Sequence, residues 1–235
     1  MCGRYYVDDE TAREIEKVIR QVDEKLRQDS MVSLENGSGI TSRENVINLK
    51  SGGLTLQARD IHPTETAPVL AASNQTLCCR WQRWGFPIPQ GGLKEQQKQS
   101  GFSGQGRQVV FNARSESALE KKMFRESVEH RRIVIPATWF YEWNRQKEKN
   151  IFYRKSQPVL FMAGFYNRYQ DEDRFVILTT AANQSMQPVH DRMPLLLEQD
   201  EIVPWIFDRG KTESFLHKVP CLLERRTEFE QMSLF

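Results

Sequence analysis

Between residues 131 and 197 the chain sets out six runs of apolar, aromatic and β-branched residues in quick succession: "RRIVIP", "FYEWN", "IFYRK", "VLFMAGFYNRY", "RFVILTTAA" and "HDRMPLLL". Runs of this length and make-up read as strands, and they limit the fold more than any other feature. The stretches between them are too short for crossover helices, so the pairing must be mostly antiparallel. Upstream, "TLCCRWQRWGFP" at 76–87 reads as a strand ending at Gly85 and Pro87, and "QVVFNAR" at 108–114 as a strand running into a turn. The two prolines of "HPTETAPVL", 62–70, favour an extended path.

Helices flank this sheet. Residues 8–28 place Ala12, Ile15, Val18, Ile19, Val22 and Leu26 at helical spacing, with Asp8, Asp9 and Glu10 at the positive end of the dipole. The stretch 117–130 predicts a second helix, with Leu119, Met123, Phe124 and Val128 on one face and a capping-box pattern from Ser117 to Glu120. A short helix is expected near 200–207, weakened by Pro204. Residues 35–53 read as loops with a short hairpin, and 89–107 as a polar, glycine-rich loop insertion. No internal repeat is visible. The expectation is α+β: a single domain over residues 1–235, built on a twisted, mostly antiparallel β-sheet with peripheral helices.

No stretch approaches the roughly 18 apolar residues of a membrane span, and no basic-then-apolar leader opens the chain. A cytoplasmic monomer without membrane contact is expected. The four cysteines, Cys2, Cys78, Cys79 and Cys221, show no CxxC spacing, so neither a structural metal nor a disulfide framework is expected, and no cofactor. A net charge of +2 does not advertise nucleic-acid binding, which would have to come from local clusters of the 33 Lys and Arg residues.

Four islands carry strongly polar residues in apolar or turn surroundings: "MCGRY", "FNARSES", "FYEWN" and "VHDRMP". Each has an ordinary explanation taken alone. Asn112 and Arg114 could finish a strand. Glu142, between Tyr141 and Trp143, is either solvent-facing by alternation or buried with a purpose. His190 could be a satisfied structural histidine. Cys2 is unusual only in position: if Met1 leaves, it carries a thiol and an α-amine on adjacent carbons.

In that order the islands resemble the SRAP family, the SOS response-associated peptidase proteins. "HPTETAPVL", "RWGFPIP", "MAGFY" and "TTAAN" add matches over roughly residues 2–205. Two features depart from the pattern. Trp139 stands where a small residue is common, and the insertion around 90–107 is long.

The resemblance implies a protein that senses abasic sites in single-stranded DNA and crosslinks to them, joining the nucleoid when bound. The amine of Cys2 would form a Schiff base with the open sugar, and the thiol would close a thiazolidine. It implies Cys2, Asn112, Glu142 and His190 as catalytic residues: Glu142 as general acid/base, His190 protonating the sugar ring oxygen, Asn112 positioning sugar and Cys2. Arg4, Arg114 and Arg192 would bind flanking phosphates, and Trp84, Phe86 and Trp143 would stack on bases unless they are core aromatics. Two alternatives stay open: an amide hydrolase with an N-terminal nucleophile, and a non-covalent single-strand binder with an inert cysteine.

Overall fold

The computed structural model describes residues 2–34, 54–73, 76–88, 109–170 and 172–227, without the side chains of 25–34. The expected hairpin at 35–53, the insertion at 89–107 and the packing of Leu26 lie outside the described residues. In chain order the elements are β1 (Tyr5–Val7), α1 (Asp9–Leu34), β2 (Arg59–Ile61), β3 (Thr66–Ser73), β4 (Thr76–Trp84), β5 (Phe86–Pro87), β6 (Val109–Val110) and β7 (Asn112–Arg114). They continue with α2 (Arg125–His130), β8 (Arg132–Ala137), β9 (Trp139–Trp143), β10 (Lys149–Tyr153), β11 (Leu160–Arg168), β12 (Asp173–Ala181) and β13 (Arg192–Pro194). The last are β14 (Leu196–Leu197), α3 (Ile202–Phe207), α4 (Thr212–Leu216) and β15 (Glu224–Thr227).

The strand-rich, antiparallel-dominated α+β class is as expected, but the strands divide between two main sheets. One is antiparallel, in the order β15-β10-β9-β1-β2. The other runs β13-β12-β4-β3-β8-β11-β14, and an added pairing of β11 with β12 closes five of its strands into a ring. Two pairings are parallel: β12 runs alongside β4 and alongside β7. The long chain passage between those strands makes the parallel contacts possible.

Asp8 starts α1 by accepting the N–H groups of Glu10 and Thr11 at 3.1 Å, and Thr138 donates to the same carboxylate at 2.8 Å. Ala12, Ile15, Val18 and Val22 are buried, as their spacing predicts. The second helix is shorter than expected. Only 125–130 is α-helical, and turns over 118–124 send both Ala118 and Phe124 into the core. Burial of those two side chains outweighs local helix propensity. Pro204 lies in the first turn of α3, where the missing N–H costs nothing.

Two glycines answer to geometry. Gly85, at φ 115°, breaks the strand expected over 76–87 into β4 and β5. Gly164 lies where β8 and β12 crowd β11. A Cβ there would stand 2.5 Å from Ile135 Cδ1 and 2.6 Å from the Val176 carbonyl oxygen. Gly164→Ala is therefore expected to cost about 1–3 kcal/mol, read as a fall of roughly 3–10 °C in melting temperature. An unchanged melting temperature would mean that the barrel yields at this point. Among the described residues no helix is long and apolar enough to cross a membrane.

Candidate functional site

Strands from different parts of the chain bring three of the four polar islands, those of Cys2, Asn112 and Glu142, to one end of β1. Asn112 opens β7 opposite Ile177 of β12, and its Nδ2 donates to the carbonyl oxygen of Cys2 at 2.7 Å. Its Oδ1 is buried and has no hydrogen-bond partner among the described residues. Cys2 is fully buried, its Sγ 3.8 Å from the Arg4 carbonyl oxygen. Burial pushes the thiol up to about 12, and the nearby charge of Glu142 adds to the shift.

Glu142 lies on β9, between β1 and β10, opposite Asn150. Alternation along β9 puts Phe140 and Glu142 on the inner face and Trp139, Tyr141 and Trp143 on the other. Glu142 is only 5% exposed, which settles the choice between a solvated and a buried carboxylate. Cys2, Asn112 and Glu142 therefore meet. His190 stands on the turn before β13, where its Nδ1 accepts the Arg192 N–H at 2.9 Å and lies 2.8 Å from Asp191 Oδ1.

The six residues expected to touch DNA have different fates. Arg4 lies 5.1 Å over the Trp143 ring and 5.7 Å over Tyr141, with Asp60 at 3.7 Å. Arg114 is exposed and has no ion-pair partner among the described residues. It lines a cavity of about 360 Å³ that also touches Asn112, Lys121 and Met123. Trp143 is partly exposed.

Trp84 and Phe86 are corrected to core residues. Both are fully buried, Trp84 against Tyr5 and Phe175, Phe86 against Phe124 and Phe165, so neither has a ring face for a base. Arg192 is corrected as well. Its guanidinium is buried, donates to both carboxylate oxygens of Glu116 at 2.7 and 2.8 Å, and donates to the Thr179 carbonyl at 2.6 Å. That fork is committed to the protein, while its main-chain N–H sets the ring of His190.

Glu116 is the residue that sequence reasoning missed, although it stands in the same "NARSE" island. Its carboxyl is held below the ordinary value of 4.5, chiefly by the hydrogen bond from Arg192. A carboxyl depressed in the folded state stabilises the fold above its unfolded pKa, and that contribution is lost as pH falls through the folded value. Arg192→Met is expected to cost about 2–3 kcal/mol at pH 7. The gap to wild type should narrow as pH drops below 4.5. Denaturant melts at pH 7 and pH 3 check this, and a gap that does not change with pH would remove Glu116 from the account.

A groove of about 1330 Å³ lies between α1 and α3, and none of the site residues named above lines it. Among the described residues no group of three or more His, Cys, Asp or Glu is placed to hold a metal ion.

Comparison with known proteins bears on this arrangement. The chain is 33% identical over 119 residues to the abasic site processing protein YoaM of Bacillus subtilis, covering 47% of this chain and 52% of that protein. It is 31% identical over 122 residues to the abasic site processing protein YedK of Escherichia coli, covering 48% and 55%. The chain thus spans about half the length of these curated relatives. A solved structure from Bacteroides thetaiotaomicron shares the fold, with a TM-score of 0.57 at 24% identity over 72% of this chain and 76% of that one. Another, from Bordetella bronchiseptica, gives 0.58 at 23% over 72% and 86%. The model of the SOS response associated peptidase (SRAP) family matches residues 1–233, and the chain belongs to that family.

Proposed function

We propose that this chain captures abasic sites in single-stranded DNA by forming a covalent bond through Cys2, and so shields the damaged strand. The observation that carries the reading is the Asn112 amide on the Cys2 carbonyl, with the charge of Glu142 acting on the same cysteine. The names of the relatives YoaM and YedK support it.

Removal of Met1 frees the Cys2 amine. An α-amine near 7.7–8.0 is partly unprotonated at neutral pH, while a thiol pushed up to about 12 is not a thiolate there. The amine therefore attacks first. Its nitrogen adds to the aldehyde carbon of the opened sugar, and loss of one water leaves an imine. The thiol then adds to the C=N carbon, its proton passing to nitrogen, and the five-membered thiazolidine closes. Glu142 relays protons for the loss of water and for ring closure. His190 protonates the sugar ring oxygen on opening. Asn112 fixes the backbone of Cys2 so that amine and thiol face one carbon. Arg4 and Arg114 hold flanking phosphates, Trp143 offers a ring to a base, and Arg192 positions His190. Two phosphate contacts give a salt slope of roughly −1.4 for a single strand.

The test mixes purified protein, shown by mass to begin at Cys2, with a single-stranded oligonucleotide carrying one abasic site. A band stable to heat and detergent, absent with undamaged strand, is the expected result. No band would remove the reading, and Cys2-dependent cleavage of amide substrates would replace it.

A further inference from the structure

The outer face of the five-stranded sheet carries a row of aromatic rings interleaved with cations. Tyr6 of β1 and Trp139 of β9 are register partners whose rings stack at 4.0 Å and 3°. The guanidinium of Arg226, on the edge strand β15, lies 5.4 Å over Trp139 and 5.8 Å over Tyr153. Nearer the site, Lys149 lies 5.4 Å over Tyr141, and Arg4 covers Tyr141 and Trp143. Trp139, the residue that departs from the family pattern, is the centre of the row.

Arg226 is exposed and has no carboxylate partner among the described residues. Among the described residues, the acids on this face are engaged elsewhere: Asp60 with Arg4 and the Tyr141 hydroxyl, Glu224 with the Lys155 N–H. A guanidinium stacked on rings loses none of its in-plane N–H donors to them, and those donors match phosphate oxygens in a two-pronged geometry. Stacking also fixes the side chain before any ligand arrives, so less freedom is lost on binding.

We propose that Arg226, braced by Trp139 and Tyr153, is a second phosphate station for the single strand, which passes Arg4 and Trp143 at the rim of the site and continues across this face. The proposal rests on the reading that the chain binds single-stranded DNA. At about 4.8 Å per strand, β15 lies roughly 14 Å across the sheet from β1 and the adjoining Arg4, so the two guanidinium groups would hold phosphates a few nucleotides apart on one strand.

The experiment compares wild type, Arg226→Gln and Arg225→Gln in the full chain. Arg225 neighbours Arg226 on β15 with its side chain alternating to the other face, so it controls for loss of charge alone. Affinity for an undamaged single strand of about 15 nucleotides is measured across salt concentrations. Crosslinking is measured with an abasic site flanked by one nucleotide on each side, too short to reach β15. Arg226→Gln should weaken the long strand about 3–10-fold and reduce the salt slope by about 0.7, with the short crosslink and the melting temperature unchanged. Equal losses in both variants, or unchanged affinity for Arg226→Gln, would overturn the proposal, as would a lowered melting temperature without a binding change, which marks a structural brace. If wild type forms no crosslink while Arg226→Gln alone still loses long-strand affinity, the Cys2 reading fails and the phosphate station stands.

Discussion

Replacing Cys2 by serine is expected to abolish the adduct that survives heat and detergent, and to leave one that survives only after borohydride reduction. Serine is small, so Met1 is still removed and the α-amine is still free to form the imine. The hydroxyl is a far weaker nucleophile toward the C=N carbon, so the ring does not stay closed and the imine returns to amine and aldehyde in hot detergent. Borohydride reduces that imine to a stable secondary amine. The heat-stable yield should fall roughly 100-fold or more, and the reduced yield should stay within about threefold of wild type. The fold should persist, since oxygen for sulfur in a fully buried position costs about 1–2 kcal/mol. A wild-type level of heat-stable adduct in Cys2→Ser would assign the bond to another residue. Absence of the reducible adduct would mean that the amine is not the first nucleophile.

Local pattern made much of this fold readable. The apolar stripe of α1 and the acid that caps it needed only helical spacing and a side chain able to accept the first N–H groups. The closure of β11 onto β12, and the parallel run of β12 beside β4 and β7, left no local mark, because a strand's sequence names its faces and not its distant neighbours. The same limit separates the tryptophans of β4: Trp81 is 53% exposed and Trp84 fully buried, three residues apart in one aromatic-rich run. Cys2, Asn112 and Glu142 were legible as polar residues in apolar settings. The inward direction of Glu142 was not, because β9 carries aromatics on both faces. The pairing of Arg192 with Glu116 spans 76 residues, and only the folded chain reveals that this arginine serves the protein and not a phosphate.

Glu142→Gln keeps the volume of the side chain and an oxygen to accept the Trp143 N–H, so it removes the proton-carrying group and its charge while sparing the packing. Two consequences follow from one carboxylate. As general acid/base for loss of water and ring closure, its removal should slow adduct formation by about 10²–10⁴. As a negative charge beside Cys2, it helps hold the thiol up, so the glutamine variant should have a lower thiol pKa than the value of about 12 in the native protein. Alkylation of Cys2, followed by mass across alkaline pH, should then set in at lower pH in the variant, because the thiolate is the reacting form. The thiol becomes easier to ionise while the crosslink becomes slower, opposite movements that loss of packing alone would not produce. An unchanged crosslinking rate with the alkylation profile shifted would reduce Glu142 to an electrostatic neighbour. A slower rate with the profile unmoved would place its charge away from Cys2. Only the two shifts together assign proton transfer at the imine to this carboxylate.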